Sequence, residues 1–74
     1  MFPMDKGALL IRLGQNIQLL RQRKGMTQVQ LAHAIGKDQQ SIQRLEAGNI
    51  NPSYFYLTEI AEGLGIAIEE LVKI

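Results

Sequence analysis

The chain has 74 residues, 46% hydrophobic and 20% charged, with no cysteine and a formal net charge of +1. That permits one small domain burying only about 60% of its unfolded surface, and it excludes a disulfide framework, a thiolate metal site and a disordered chain. No apolar run approaches the ~18 residues of a membrane span, and Ala8-Leu9-Leu10-Ile11, cut by Arg12, is no signal peptide, so the sequence reads as soluble and cytoplasmic with no membrane partner.

Residues 1–5 read as a flexible arm, although Asp5 is also placed to cap the first helix. Helix 1 is predicted from about Lys6 to Lys24, on an i, i+3, i+4 stripe of Leu9, Leu10, Leu13, Ile17 and Leu20. Gly7 and Gly14 each weaken a helix by about 1 kcal/mol relative to Ala, so fraying is expected in the first turns. Arg21, Arg23 and Lys24 suit the negative end of the helix dipole. Gly25 ends the helix and Met26 turns back toward the core.

Helix 2 comes next, from Gln28 to about Ile35, with Thr27 as its N-cap. Gly36-Lys37-Asp38 is a tight turn in which Gly36 takes the left-handed conformation that stops a helix. Asp38 caps helix 3, Gln39 to Glu46. Leu31 and Ile35 share one face, as do Ile42 and Leu45, and the small Ala32 lets a crossing helix approach. The outside of helix 3 carries Gln39, Gln40, Gln43 and Arg44, with no acid among them. Gln pairs bidentately with adenine and Arg with guanine in the major groove, so this helix reads as a surface for base edges.

A loop, Gly48-Asn49-Ile50-Asn51-Pro52, separates this unit from helix 4, about Ser53 to Leu64, which Pro52-Ser53 opens. Leu57, Ile60, Ala61 and Leu64 are expected inside, with Tyr54 one turn earlier. Gly65 ends helix 4. Helix 5 is short, about Ile68 to Lys73, with Glu69 and Glu70 at its N-terminal dipole and Leu71 as its core anchor. Ala67 offers it no capping side chain, so fraying is expected there. Phe55, Tyr56, Ile66, Val72 and Ile74 are left over. An exposed apolar patch on helices 4 and 5 would mark an association surface, making Phe55, Tyr56, Val72 and Ile74 candidates for a dimer interface. Scattered surface apolar residues are the alternative.

Charge is divided along the chain. Residues 1–44 hold seven Lys or Arg against Asp5 and Asp38, a balance of +5. Residues 45–74 hold Lys73 against five Glu, a balance of −4. One half suits phosphate while the other faces away from it; ordinary solvated faces explain the division equally well.

The sequence resembles the Cro/phage-repressor type of helix-turn-helix, the XRE family of transcriptional regulators. The resemblance rests on Arg21, Gly25, Thr27-Gln28, Leu31-Ala32, Gly36, Gln39-Gln40-Ser41-Ile42, Leu45-Glu46, Gly48, Pro52, Leu57, Ile60-Ala61, Leu64 and Leu71. It runs from about Leu13 to the end of the sequence, and the joint spacing of so many positions carries it rather than any one residue. It implies an all-α, five-helix lambda-repressor-like DNA-binding domain. Gln28 would contact a phosphate and brace Gln39; an idle surface Gln is the other reading. Arg21 and Glu46 would form a structural salt bridge between helices 1 and 3, unless Arg21 binds phosphate instead. Bases would be read by Gln39, Gln40 and Arg44, with Gln43 nearer the groove wall. Phosphate contacts would come from Gln28, Arg23, Lys37, Asn49 and the N-terminus of helix 2. Relatives often carry Lys or Arg in the loop after helix 3. Neutral Asn49 and Asn51 bring no counterion release, so weaker and less salt-dependent binding is expected.

The partner implied is double-stranded DNA, bound by a homodimer on two half-sites about one turn apart. Two rivals stand beside it: an antitoxin or restriction-modification controller of the same fold, and a protein-interaction module recruiting a toxin or transcription machinery. No residues pair as nucleophile and base, and no His, Cys or carboxylate cluster has metal spacing. His33, the only histidine, reads as an ordinary surface residue. The expectation is therefore no enzyme, no cofactor and no metal.

Overall fold

The structure, a computed structural model, describes residues 5–74; the proposed arm at residues 1–4 lies outside them. Five helices occur in the order α1 (Lys6–Arg23), α2 (Gln28–Ala34), α3 (Gln39–Glu46), α4 (Tyr54–Leu64) and α5 (Ile68–Val72). No strand occurs among the described residues. The predicted boundaries hold to one residue. Lys24 and Ile35 are C-caps rather than last turns. Ser53 is the N-cap of α4 rather than its first residue.

Local chemistry sets the helix starts. The Asp5 carboxylate accepts from the Ala8 N–H at 2.8 Å and caps α1. Thr27 Oγ1 accepts from the Gln30 N–H, and the Gln30 side chain accepts from the Thr27 N–H in return, a capping box. Asp38 and Ser53 cap α3 and α4 by accepting from the Ser41 and Tyr56 N–H groups, without the reciprocal bond. Only Ala67, before α5, makes no side-chain cap. Among these five short or medium helices, each satisfied end counts, because an unpartnered first-turn N–H otherwise depends on water.

The core draws on every helix: Leu13 and Ile17 from α1, Leu31 and Ala32 from α2, Ile42 and Leu45 from α3, Leu57, Ile60, Ala61 and Leu64 from α4, and Leu71 from α5. Ile17, Leu31, Ile42, Ile60 and Leu71 are fully enclosed, each side chain contributing about 1.5–3 kcal/mol relative to exposure. α2 packs on α3, α1 crosses α3 and α5, and α4 leans on α5 and α2.

Three expectations about single residues change. Tyr54 points to solvent, not inward: it shares the face of Leu57 and Ala61 but is the first residue of α4, a turn ahead of Leu57, the first α4 residue that the core covers. Gly14 is not a weak point of α1. It is buried where α1 crosses the end of α3, and a Cβ there would stand 2.5 Å from the Glu46 carbonyl oxygen. Only glycine lets the two backbones come this close. Ile66 is not left over; it packs partly buried against the core.

α5 is held at the end opposite its uncapped start. Asn16 Nδ2 donates to the carbonyls of Leu71 at 2.7 Å and Glu70 at 3.1 Å, and the Arg12 guanidinium donates to the Ile74 carbonyl. The Glu70 and Leu71 carbonyls lie in the last turn of α5 and lack intrahelical partners, so Asn16 of α1 satisfies the end of α5 across the fold, while Arg12 holds the residue beyond it.

Candidate nucleic-acid interface

α3 owes its position to the turn before it. Gly36 adopts φ +69°, in the left-handed region, which ends α2 and lets Asp38 start the next helix directly. Ile42 and Leu45 then face the core while Gln39, Gln40, Gln43 and Arg44 are all exposed. At 100° per residue, Gln40, Gln43 and Arg44 form the outermost ridge and Gln39 sits on the flank toward α2. The ridge carries a single charge, that of Arg44. Gln40, Gln43, Arg44, Ala47 and Asn49 together border an open recess of about 280 Å³, so Asn49 of the following loop lies beside the ridge.

The α2 flank is polar and closed. Arg21 Nε donates to Glu46 Oε2 at 2.6 Å and Nη2 to Oε1 at 3.0 Å. The remaining Arg21 nitrogen, Nη1, donates to the Met26 carbonyl at 2.7 Å. The two side chains are only 8% and 3% exposed. The hydrogen bond to Glu46, reinforced by its charge, holds the Arg21 guanidinium above its ordinary pKa despite burial. With its guanidinium enclosed in this way, Arg21 is not presented to a phosphate. Gln28 Nε2 donates to Glu46 Oε1 at 3.0 Å, and Gln39 Nε2 donates to Gln28 Oε1 at 3.4 Å. Gln28 is thus not an idle surface amide.

A family profile described as helix-turn-helix matches residues 17–71. The chain belongs to the helix-turn-helix family. An HTH-type transcriptional regulator of Sinorhizobium fredii, y4dJ, is 40% identical over 60 residues, covering 81% of this chain and 78% of the relative. The restriction-modification controller protein C.AhdI of Aeromonas hydrophila has the same arrangement, with a TM-score of 0.88, 34% identity and coverage of 92% of this chain and 99% of that one. The clp gene regulator ClgR of C. glutamicum superposes with a TM-score of 0.83 at 26% identity, covering 88% and 84%. The family is one of DNA-binding transcriptional regulators rather than enzymes. No helix among the described residues is long and apolar enough to cross a membrane.

Within this helix-turn-helix, the turn and the α4 side hold what the sequence did not reveal. Lys37 Nζ stands 3.7 Å from Glu59 Oε1 and 5.6 Å from the centre of the Tyr56 ring, so it leans on α4. Lys37, Ser41, Arg44, Ile50 and Tyr56 border an open recess of about 220 Å³. Tyr56 does not join the exposed apolar patch expected of it. It packs half-buried against the core, and its hydroxyl is buried without a partner. Burial first, and then the charge of Glu59, raise its pKa. Nothing in the local pattern around Tyr56 signals this, because its neighbours come from α3 and two loops. Asp38, at the head of α3, has its carboxyl held below the usual range by the Ser41 N–H and then the Ser41 hydroxyl.

The other candidate positions are dispersed. Arg23 is exposed in the last turn of α1 and Phe55 is exposed on the outer side of α4. Val72 and Ile74 border an apolar groove of about 320 Å³ with Leu9, Leu10, Leu13 and Leu57. Periodicity puts Leu9 and Leu10 in the core stripe of α1, yet they line this groove.

Proposed function

We propose that this regulator reads double-stranded DNA sequence as a homodimer, with α3 in the major groove of each half-site. The observation that carries the reading is the acid-free ridge of α3: Gln40, Gln43 and Arg44 outermost, Gln39 braced beside them, on a helix whose other face is locked into the core. Gln39 and Gln40 then read adenine and Arg44 reads guanine. Gln43 lies against the groove wall. Gln28, Asn49 and Arg23 take phosphates, and Lys37 joins them only by leaving Glu59. The groove bordered by Leu9, Leu10, Val72 and Ile74 is the proposed dimer face, with Phe55 outside it. Location in the cytoplasm accords with this role.

In vitro selection from a random duplex pool tests the proposal. Enrichment of a two-fold-symmetric motif, with half-sites about one helical turn apart, supports it. Retention of bulk DNA without any enriched motif would falsify it. The likeness to C.AhdI, and to a second restriction-modification controller protein (32% identical, TM-score 0.78), favours a more specific reading as the controller of such an operon. The selected motif should then occur upstream of adjoining nuclease or methyltransferase genes.

A further inference from the structure

The buried ion pair does more than join α1 to α3. We propose that Glu46 is a positioning residue for base reading: it fixes which way the Gln28 amide faces, and through Gln28 which atoms Gln39 presents to a base. This rests on α3 being the reading helix.

The argument is one of donors and acceptors. A Gln side chain offers an oxygen that only accepts and a nitrogen that only donates, while an ionised carboxylate only accepts. Both Glu46 oxygens are held by the Arg21 fork, so the carboxylate cannot rotate away. Gln28 meets Glu46 Oε1 at 3.0 Å. Only its nitrogen can face that oxygen, since the reverse orientation would set two acceptors 3.0 Å apart. With Nε2 committed to Glu46, Gln28 Oε1 faces Gln39 and accepts from Gln39 Nε2 at 3.4 Å. Gln39 is therefore left with a free Oε1 and one free N–H. That acceptor–donor pair complements the N6 amino group and N7 of adenine. Were Gln28 reversed, its nitrogen would draw Gln39 Oε1 inward and remove the acceptor that adenine requires. Gln40 and Gln43 have no such brace among the hydrogen bonds of the described residues, so Gln39 alone is oriented in advance. The second Gln28 N–H stays free for a phosphate oxygen, so a bound backbone would tighten the same relay.

Two measurements test this with the intact protein. In the free protein, NMR relaxation of the ¹⁵N-labelled side-chain amides should show Gln28 and Gln39 more ordered than Gln40 and Gln43. Gln28→Met, which leaves the ion pair intact, should bring Gln39 to the mobility of Gln40. An equally mobile Gln39 in the unsubstituted protein overturns the relay. In random-duplex selection, Gln28→Met should lower adenine discrimination at one base pair per half-site by about fivefold or more, the lower end of what a bidentate base contact provides, while other positions keep theirs. An equal fall in affinity on all duplexes, with every base preference kept, overturns the proposal, because Gln28 would then be a phosphate contact only. Glu46→Gln, which keeps the shape but removes the acceptor-only constraint, should broaden the same base pair; unchanged preference in a folded protein also overturns it. Gln39→Ala separates the two readings. If it alters no position, Gln39 reads no base and the relay has no target, whatever the amide dynamics show; the assignment of α3 to base reading fails only if Arg44→Ala also leaves every preference unchanged.

Discussion

On its α2 side, α3 rests against a continuous chain of hydrogen bonds from the Met26 carbonyl through Arg21 and Glu46 to Gln28 and Gln39. On its α4 side it faces an open recess, where Lys37 reaches Glu59 only at 3.7 Å and the Tyr56 hydroxyl is buried with no partner. The first flank has discrete, mutually dependent contacts, buried at the Arg21–Glu46 pair and reaching solvent at Gln39. The second has long side chains, partial exposure and one unsatisfied group. A surface that must recognise one sequence and also accommodate the local shape of a duplex has use for both. The closed flank supplies a fixed reference for the helix, and the open flank leaves Arg44 free to adjust. Substitutions on each side should separate the two.

The largest effect should come from breaking the closed flank. Glu46→Ala leaves the Arg21 guanidinium buried without its counter-charge, a loss of about 3–5 kcal/mol of unfolding free energy, to be read by denaturant titration. Replacing both partners by apolar residues of similar volume should recover much of that loss. A single substitution costing under about 1 kcal/mol would mean the pair behaves like a surface bridge. Gly14→Ala sharpens the same side. Helix propensity alone predicts a gain of about 1 kcal/mol. The carbonyl 2.5 Å from the added Cβ predicts a loss of about 1–3 kcal/mol from overpacking, and the sign of the measured change decides between them.

Arg44→Ala addresses the ridge between the flanks. It should weaken binding to the selected duplex by about 1–3 kcal/mol and relax preference at one base pair. An equal loss on all duplexes would make Arg44 a phosphate contact. Tyr56→Phe tests the open flank. Because it removes an unpartnered buried hydroxyl, stability should rise by about 1 kcal/mol; a clear drop would show that the hydroxyl has a partner in solution.

The smallest effect concerns pH. Asp38 has a folded pKa below its ordinary value of 3.8. Its contribution is therefore complete above that value and is lost as pH falls through the lower, folded one. Asp38→Asn, which keeps a capping oxygen, should flatten that acid limb of the stability curve and leave neutral-pH stability nearly unchanged. An acid limb identical in both proteins would assign it to other carboxylates.

Much of the molecule is legible in the chain itself. Caps at Asp5, Thr27 and Asp38 act within three residues, the helix stripes repeat within one turn, and the Gly36 turn needs only its own backbone freedom. The outward Gln and Arg ridge of α3 comes from the same periodicity. These features are local, so residue order alone determined them. Tertiary structure decided the rest, because it depends on which distant backbones meet. Gly14 reads as a helix weakness until α1 is seen lying on the α3 carbonyls. Asn16 gives no local sign that it caps α5, 55 residues away. Nothing near Tyr56 or Lys37 in the sequence shows that α4 folds beside the turn and brings the Lys37 ammonium over the Tyr56 ring and next to Glu59. The direction in which Gln39 offers its amide is the finest of these decisions. It is set by a carboxylate at the far end of the same helix and an arginine from another, through contacts that exist only once the core has closed.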